Sequence, residues 1–540
     1  MKSIKSVDEE IAVNPCVGRW TRRVAAEMSS FTPHDADREL KPWKQRQLLR
    51  LMQASTTSGA VLEAAPTTIA MAAAVAAAAD AAEGGLERLQ GGGGAAGGGT
   101  RAIVRDAAAL DTQALKAQFL GAMQQERSQL SALQASDKPV HNTTGKVLPW
   151  FRNGGLELQP LLAFTTLVDV RWLVKMAKGL VNPELGGVLP AWQHLPHAAV
   201  ATLDSMQAYT GYGLPIAALS YGWASQTHAD PAGHHLRTLL PVLETIVYEC
   251  DRCSIAGRES SFGLLWDWAS LPQRWQATAS RSEGAAAEDR TPREQARFQA
   301  GVQHINEWYA APYVYTILLD TPQHPSAPNQ TPFSHRGWTC FERRVSCLVK
   351  AKRCLLAMSV VQRAIEGGLE LGGTRLFDLL DQCTLHGEAD RPAPMPPDRF
   401  EAFVRREVLA GQLTFTNGDD LTEVIIPQYD ACFMRALHAA TRLVFVHIGW
   451  GDDELRELTG ALRYAHERGA LGRLAELLLK ENHFGDEGLA HLRQLIEDGA
   501  LDTVGFVDLK SSCDGASEEA RQAVAAAFES RPGQRRPYRM

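Results

Sequence analysis

Short apolar blocks alternate along the middle of the chain with longer segments of helical period. Three short runs predict buried strands: PIAALSY from Pro215, FGLLWDW from Phe262 and YVYTILL from Tyr313. The segment after each run places apolar residues on one stripe, as an amphipathic helix does: Leu236, Leu239, Leu240, Leu243, Ile246 and Val247, then Phe298, Val302, Ile305 and Tyr309, then Phe341, Val345 and Leu348. We therefore predict an α/β domain whose parallel sheet has helices on both faces.

The second of these helices carries a clear start signal. Thr291 is a good N-cap, Pro292 suits the first helical position, and Glu294 can close a capping box.

The turns after the three strands cover residues 220–230, 267–273 and 320–338. In a parallel sheet the carboxyl ends of the strands lie at one edge, and ligands bind beyond that edge. We therefore expect the three turns to meet and to line a site.

The C-terminal part of the chain repeats a strand, a turn and an amphipathic helix. LGRLAELLLKEN from Leu471 aligns with LDTVGFVDLKSS from Leu501, and ATRLVFVHIGWG from Ala440 supplies a third copy through Leu443 and Val446. The copies are 31 and 30 residues apart. Such units cannot bury their apolar faces alone, so we predict a short stacked array that also leans on the preceding domain.

Composition changes sharply near the N-terminus. DRELKPWKQRQLLRLMQA predicts a helix within residues 1–58. The Ala/Gly-rich segment at 59–100 predicts a disordered tether, because a glycine tract buries too little apolar surface to offset its conformational entropy. LDTQALKAQFLGAMQQERSQLSALQ predicts a helix, followed by a linker, within 101–146. The later divisions are the α/β domain at 147–395, a connecting helical segment at 396–439, the repeats at 440–530 and a disordered tail at 531–540.

Charge and cysteine content narrow the class of protein. The chain has 540 residues, 45% of them hydrophobic and 22% charged, with a net charge of −7, as in soluble globular proteins. We expect no nucleic-acid or membrane partner, because either would favour clustered Lys and Arg. The Ala-rich run Ile69–Ala79 is too short to span a bilayer, and the N-terminus has no secretory pattern. The nine cysteines are scattered, and Cys340, Cys347 and Cys354 have helix-face spacing, which favours a reduced, cytoplasmic setting.

Common catalytic and metal motifs are absent from the sequence. There is no P-loop, no G-x-S-x-G elbow and no H-E-x-x-H. Cys250 and Cys253 form a single C-x-x-C without a second pair, and His228, His234 and His235 have no carboxylate or thiolate set to complete a site. We predict no metal site.

Three separated boxes occur in a specific order: LSYGW, then WDWASLPQ, then RGWTCFERR. This order resembles the TIR superfamily over roughly residues 190–355, in particular its divergent TIR-like (heterokaryon-incompatibility-like) domains. The chain departs from their pattern at Ala229, where they have Pro, and at Cys340, which lies two residues after Trp338 instead of one. The repeats resemble leucine-rich repeats of the ribonuclease-inhibitor type. The resemblance implies a flavodoxin-like parallel sheet followed by a short leucine-rich-repeat solenoid.

The resemblance also suggests one catalytic position. In NAD-cleaving TIR domains the catalytic glutamate lies four residues after the Trp of this box, and Glu342 has that spacing from Trp338. NAD would then be a substrate, and no cofactor would be required. A carboxylate there would stabilise the positive charge that develops on the ribose as the nicotinamide bond breaks. We take the following residues as ligand-binding candidates: Ser220, Tyr221, Trp223, Asp230, Asp267, Gln273, Arg336 and Trp338.

Other interpretations of these residues stay open. Glu342 can instead cap its helix or pair with Arg336, and Trp338 can belong to the core. Because many TIR-like domains act only as assembly surfaces, the first hypothesis is a signalling or defence-type protein whose repeats bind a protein partner and whose TIR-like domain self-associates. NAD hydrolysis through Glu342 is the alternative. A third hypothesis is a repeat-containing scaffold whose α/β domain has lost any ligand-binding or catalytic site.

Overall fold

The structure is a computed structural model, and it describes residues 99–132, 145, 147–274, 290–383, 391–415, 417–531 and 538–539. The predicted N-terminal helix and the Ala/Gly-rich tether, within residues 1–98, lie outside those residues. Most of the predicted tail after residue 531 also lies outside them.

The longer helices are α1 Gly99–Ser131, α2 Val170–Ala177, α3 His234–Arg252, α4 Pro292–Ala310, α5 Gly337–Ser346, α6 Met358–Glu366, α7 Leu376–Gln382, α8 Pro397–Leu409, α9 Ile426–Ala439, α10 Asp452–Glu467, α11 Asp486–Glu497 and α12 Glu518–Glu529. The strands are β1 Val168–Asp169, β2 Ile216–Tyr221, β3 Gly263–Leu265, β4 Tyr315–Leu319, β5 Leu355–Ala357, β6 Arg442–Val444, β7 Glu476–Leu478, β8 Phe506–Asp508 and β9 Tyr538–Arg539. Short helical turns lie between them at Pro149–Arg152, Gly155–Leu158, Gln159–Ala163, Pro183–Leu185, Trp192–His194, His197–Ala199, Leu203–Gln207, Asp267–Ser270, Phe333–His335, Lys352–Cys354 and Leu421–Ile425.

The first sheet has the strand order β1-β3-β2-β4-β5. Strand β2 pairs in parallel with β3 on one side and with β4 on the other, and β5 adds in parallel to β4. Only β1 is antiparallel, paired with β3. The predicted α/β class with a mostly parallel sheet is therefore confirmed, and the three predicted strands are β2, β3 and β4.

Alternate residues of β2 face opposite sides of the sheet, as the two-residue period of a strand requires. Ile216 and Ala218 pack in the same apolar cluster as residues of α4 and α5, whereas Ala217 and Leu219 pack with α3. The sheet is thus covered on both faces. This alternation also separates the two residues at the end of the strand, Ser220 and Tyr221.

Helix α4 begins as the sequence predicts. The Thr291 side chain accepts from the backbone N–H of Glu294, and the Glu294 carboxylate accepts from the N–H of Thr291 at 2.9 Å. This closed capping box satisfies two backbone donors that a helix start otherwise leaves without a partner.

Two element boundaries differ from the predictions. The prediction of one continuous helical face through Cys340, Cys347 and Cys354 is wrong, because α5 ends at Ser346 and Cys347 is its C-cap. The chain is held after that point by Lys350, whose buried ammonium donates to the carbonyls of Ala311 at 2.8 Å and Val314 at 2.7 Å.

The FGLLWDW run is a strand only as far as Leu265. A helical turn, Asp267–Ser270, follows at once, and the Ser270 hydroxyl accepts from the backbone N–H of Trp266 at 2.9 Å. The second half of the predicted strand, WDW, therefore belongs to the turn that carries the acidic candidate Asp267.

The second sheet contains β6, β7, β8 and β9, all parallel, and α10, α11 and α12 follow the first three strands. Leu443 lies opposite Leu477, which lies opposite Val507. The first step is therefore 34 residues and the second 30. The predicted spacing of 31 residues between the first two copies is wrong. Phe445 is buried two residues after Leu443, whereas Val446 is only half-buried.

One apolar cluster joins the two sheets through the connecting helices α8 and α9. Phe400 stacks on Tyr429 with ring centroids 3.7 Å apart, and the Asn306 amide of α4 donates to the carbonyl of Gln428 at 3.2 Å. Beyond them, the indole N–H of the fully buried Trp450 donates to the carbonyl of Arg391 at 2.9 Å. No described helix combines the length and apolar character needed to cross a bilayer.

Candidate functional site

The turns that follow β2, β3 and β4 meet at one edge of the first sheet. The Gln323 amide donates to the carbonyl of Gly222 at 3.1 Å, and the backbone N–H of Asn329 donates to the carbonyl of Ala224 at 2.9 Å. Strand order changes direction at β2, which lies between β3 and β4. In open α/β sheets this switch point is where a crevice forms and ligands bind.

Asp267 lies in this region and accepts hydrogen bonds from several donors. The Tyr221 hydroxyl donates to one carboxylate oxygen, and the Trp223 indole N–H donates to the other at 2.9 Å. The backbone N–H of Trp268 donates to the carboxylate at 2.6 Å. Desolvation raises the pKa of Asp267 above its ordinary value, and these hydrogen bonds oppose the rise. The arrangement ties the turns after β2 and β3 together.

Glu342 approaches the same region from α5, on the other face of the sheet. Its neighbours are the hydroxyls of Ser220, at the end of β2, and of Tyr309, at the end of α4. Desolvation, together with repulsion from Asp267, raises the pKa of Glu342 to about 8, although both hydroxyls stabilise the charged form. At neutral pH this carboxyl is therefore largely protonated.

Ser220 has an unusual environment for a polar residue. It is fully buried, and its hydroxyl makes no hydrogen bond of normal geometry with the described part of the chain. Tyr309, in contrast, donates its hydroxyl to the carbonyl of Leu219 at 2.8 Å. A buried hydroxyl without such a bond is costly, so the polar contact of Ser220 depends on the neighbouring Glu342 carboxyl.

Two candidates have structural partners. Asp230 accepts from the backbone N–H of His234 at 2.7 Å and of Leu236 at 3.2 Å, so it caps the start of α3. Gln273 donates its amide to the carbonyls of Asp267 at 3.0 Å and Leu271 at 2.8 Å, so it braces the turn after β3.

Arg336 is also satisfied by the protein itself. Its guanidinium donates to the carbonyls of Trp223 and Thr331, both at 2.8 Å, and of Asn329 at 3.2 Å. It packs so closely on Gly222 that a Cβ there would lie 2.5 Å from the guanidinium carbon. Arg336 therefore holds the turns after β2 and β4 together, and it does not pair with Glu342.

Trp338 does not join the cluster at the sheet edge. Its indole N–H donates to the carboxylate of Asp420 at 2.9 Å, and its ring meets Phe341 edge to face. The residue anchors α5 to the segment before α9. Of the candidates, the structure thus gathers Ser220, Tyr221, Trp223, Asp267 and Glu342.

Tyr309 is a neighbour of Glu342 that the sequence interpretation assigned only to the buried stripe of α4. The helical period predicts its burial, but no sequence pattern indicates that its hydroxyl contacts a carboxyl on another helix. His235 was likewise missed: it is buried beside the Tyr221 ring and contacts the side chain of Gln323 at 3.1 Å.

Comparisons with protein-family models, with curated proteins and with solved structures gave no match for this chain. Among the described residues, no group of three or more His, Cys, Asp or Glu side chains is placed to hold a metal ion. The chemistry that the site offers comes from two carboxyls in different environments. Asp267 is held by neighbouring donors, and Glu342 is a protonated acid next to a serine hydroxyl.

Proposed function

We propose that the chain is a signalling or defence-type protein in which a TIR-like domain at 147–395 is coupled to leucine-rich repeats that bind a protein partner. In this proposal the TIR-like domain assembles with further copies of itself once the repeats are engaged. We also propose a cytoplasmic setting, which fits the unpaired cysteines among the described residues.

The observation that carries the proposal is the continuous core between the two sheets. Strand β2, helices α4 and α5, the connecting helices and the strands of the second sheet share one apolar cluster. Because packed interiors respond to displacement as a unit, a partner bound at the second sheet would act on the first. The strand order β3-β2-β4-β5 supports the flavodoxin-like arrangement expected of a TIR-like domain.

The second sheet also offers a surface for a partner. A cleft of about 780 Å³ opens beside the turns that follow β6, β7 and β8. It is lined by His447, Gly449, Asp452, Asp453, Glu481, Asn482, His483, Phe484, Gly485, Glu487, Ser511, Asp514 and Gly515. Equivalent turns of successive units line it together, as expected for a repeat array that binds along one face.

Charge reversal at the cleft tests partner binding. We expect Asp514→Lys to abolish cross-links between the cleft and a partner in cells that express the chain, with unchanged thermal stability. Glu519→Lys is the matched control, since Glu519 is exposed on α12 and does not line the cleft. Mass spectrometry of cross-linked protein measures the effect. Equal cross-linking by both variants, or no cross-links from the cleft, would count against the repeats as a docking module.

A second candidate function is NAD hydrolysis. It is supported by the position of Glu342, whose carboxyl lies beside the buried hydroxyl of Ser220 at the switch point of the sheet. An ionised Glu342 would stabilise the oxocarbenium-like transition state of nicotinamide release. The indole N–H of Trp223 donates a hydrogen bond to the Asp267 carboxylate. Substrate entry therefore requires the turns that carry these two residues to separate.

Nicotinamide release from NAD tests this second function. We expect release by the full chain and a loss of at least 100-fold in Glu342→Gln, because the charge-stabilising carboxylate is removed. Glu366→Gln, an exposed change on α6, serves as control. The assay is run on dilute protein and on protein assembled on a multivalent support. Absence of release in both states would eliminate the hydrolase and leave the assembly role.

A further inference from the structure

His235, near the start of α3, is a buried titratable residue that neither proposed function uses. It is 3% exposed, and its ring meets the ring of Tyr221 edge to face. Its Nε2 lies 3.1 Å from the side-chain oxygen of Gln323, in the turn after β4. Its Nδ1 is also buried and makes no hydrogen bond with the part of the chain that the structure describes. A ring in this position is sensitive to the number of protons that it carries.

The side chain of Gln323 fixes which nitrogen of His235 carries the proton. Its amide nitrogen donates to the carbonyl of Gly222 at 3.1 Å, so its oxygen faces His235 as an acceptor. His235 must therefore donate from Nε2, and in the neutral ring Nδ1 has no proton. These two hydrogen bonds link α3 and the turn after β4 to the turn after β2. Trp223, the residue after Gly222, holds Asp267 through its indole N–H.

A second proton on His235 would destabilise this link. The imidazolium would carry a buried N–H at Nδ1 with no acceptor among the described residues, and a buried charged donor without a partner is strongly destabilising. Relief requires the ring to leave its position, and the hydrogen bond to Gln323 is lost with it. Gln323 then no longer holds the carbonyl of Gly222. The turn that carries Trp223 thereby loses one of its attachments.

The groups around His235 act on its protonation in both directions. Desolvation lowers the pKa of His235, and the neighbouring His234 and Arg336 lower it further. Asp230, in the turn after β2, and the hydrogen bond at Nε2 raise this pKa, but desolvation is the largest effect. Both carboxylate oxygens of Asp230 already accept backbone N–H groups at the start of α3. Tyr221 stays uncharged at neutral and acid pH, because burial raises the pKa of its hydroxyl.

His228 lies in the turn after β2 and responds to acid in the same sense. Its Nδ1 accepts from the backbone N–H of Asp230 at 2.9 Å, and its ring packs on Trp268 with ring centroids 4.4 Å apart. Desolvation lowers the pKa of His228 and His235 lowers it further, whereas Asp230 raises it. A proton on Nδ1 would remove the acceptor of the Asp230 N–H. Acid therefore weakens this turn at two places.

We propose that His235 is a proton-sensitive latch: the neutral ring holds the turn after β2 closed against the turns after β3 and β4, and the protonated ring releases it. Acid then opens the edge of the sheet at which Ser220 and Asp267 lie. The latch goes beyond both proposed functions, because it controls access to this edge whatever binds there. The hydrogen bonds of Arg336 to the same turn remain, so release is a local opening and the fold is retained.

Fluorine NMR of the full chain labelled with 5-fluorotryptophan tests the latch. The Trp223 signal is assigned by its loss in Trp223→Phe, and it reports whether the indole stays on Asp267. We expect this signal to move as the pH falls from 8 to 5, with a midpoint below the ordinary histidine pKa of 6.5, because the closed state resists the second proton. His235→Gln stays neutral and should remove most of the movement. His197→Gln, a change at an exposed histidine, should leave it intact.

Three results would overturn the proposal. A Trp223 signal that is the same at pH 8 and pH 5 would mean that the turn does not open. A movement that persists undiminished in His235→Gln would assign the control to another group, such as His228. Nitrogen-15 NMR of the wild-type imidazole rings gives the third check and needs no variant, since His235 is assigned through its contact with the Tyr221 ring. At pH 7.5 we expect the Nε2–H tautomer, and the Nδ1–H tautomer or an imidazolium would refute the latch.

Discussion

Replacing Trp450 by Ala should destabilise the repeats and the α/β domain together. Trp450 is fully buried, stacks on Phe445 with ring centroids 4.6 Å apart, and donates to the carbonyl of Arg391. Truncation of such a residue costs about 3–5 kcal/mol, because it removes apolar contacts and leaves a cavity. It also leaves the Arg391 carbonyl without its donor. We expect a free energy of unfolding lower by that amount in urea denaturation followed by circular dichroism.

Hydrogen exchange reveals whether this loss spreads across the molecule. If the shared core is cooperative, amides of β2 and β4 should lose protection in Trp450→Ala along with amides of β6 and β7. Trp450→Phe should cost less, because a ring still stacks on Phe445. Leu409→Ala is the control, since Leu409 is 89% exposed and its truncation should be nearly neutral. Protection that fell only in β6 and β7 would contradict coupling between the two sheets.

The main strands and helices of the α/β domain could be predicted because each carries a strong period. Strands β1 and β5 were missed because each is only two or three residues long and is followed directly by a helix, so that neither stands out as a separate apolar block. The end of α5 was missed for a different reason. Leu348 continues the apolar stripe of that helix and is buried, but after Ser346 the chain leaves the helix. An apolar stripe indicates which residues are buried, but a buried residue need not lie in a helix.

The alignment of the first repeat failed because spacing in an apolar segment is ambiguous. Leu443, Phe445 and Ile448 are all buried, and several registers place apolar residues over one another. The actual register depends on backbone hydrogen bonds, such as that from the N–H of Phe445 to the carbonyl of Leu478 at 2.8 Å. A sequence does not display those bonds.

The candidate site could be located from the sequence, but the partners of each residue could not. The predicted turns after β2 and β3 placed Ser220 and Asp267 at one edge, and Glu342 was a candidate only through the resemblance to TIR-like domains. Their place in the third predicted turn and in the RGWTCFERR box suggested that Arg336 and Trp338 bind a ligand, whereas both make hydrogen bonds within the protein. A guanidinium or an indole N–H pairs with whichever acceptor the fold brings near, and those acceptors come from distant segments.

Glu342 should make the protein less stable as the pH rises. Its pKa is about 8 in the folded chain and close to the ordinary value of 4.5 once unfolded. At pH values between these two pKa values, the folded state binds the proton more strongly than the unfolded state. The contribution of Glu342 to stability is therefore fully present below pH 4.5 and is lost as the pH rises toward 8. The loss between pH 5 and pH 8 should be about 3 kcal/mol. Glu342→Gln is neutral at every pH and should not show this loss.

The measurement is the difference in unfolding free energy between wild type and Glu342→Gln at several pH values from 5 to 8. Other groups titrate in the same window, such as Lys350, whose pKa desolvation lowers to about 7. Because they are present in both proteins, their contributions largely cancel in the difference. Glu366→Gln should give a curve parallel to that of wild type. A Glu342→Gln curve parallel to that of wild type would mean that the Glu342 carboxyl is solvated in the folded protein.

The same titration bears on whether this carboxyl can act on NAD. Stabilising positive charge on the ribose requires the ionised form, which is the minor form below pH 8. If the site stays closed during turnover, nicotinamide release should increase about tenfold per pH unit up to that value. If the turns that carry Trp223 and Asp267 separate first, water reaches Glu342, its pKa falls, and release should be nearly independent of pH above 6. The slope of the pH profile therefore distinguishes a closed catalytic site from one that opens on assembly.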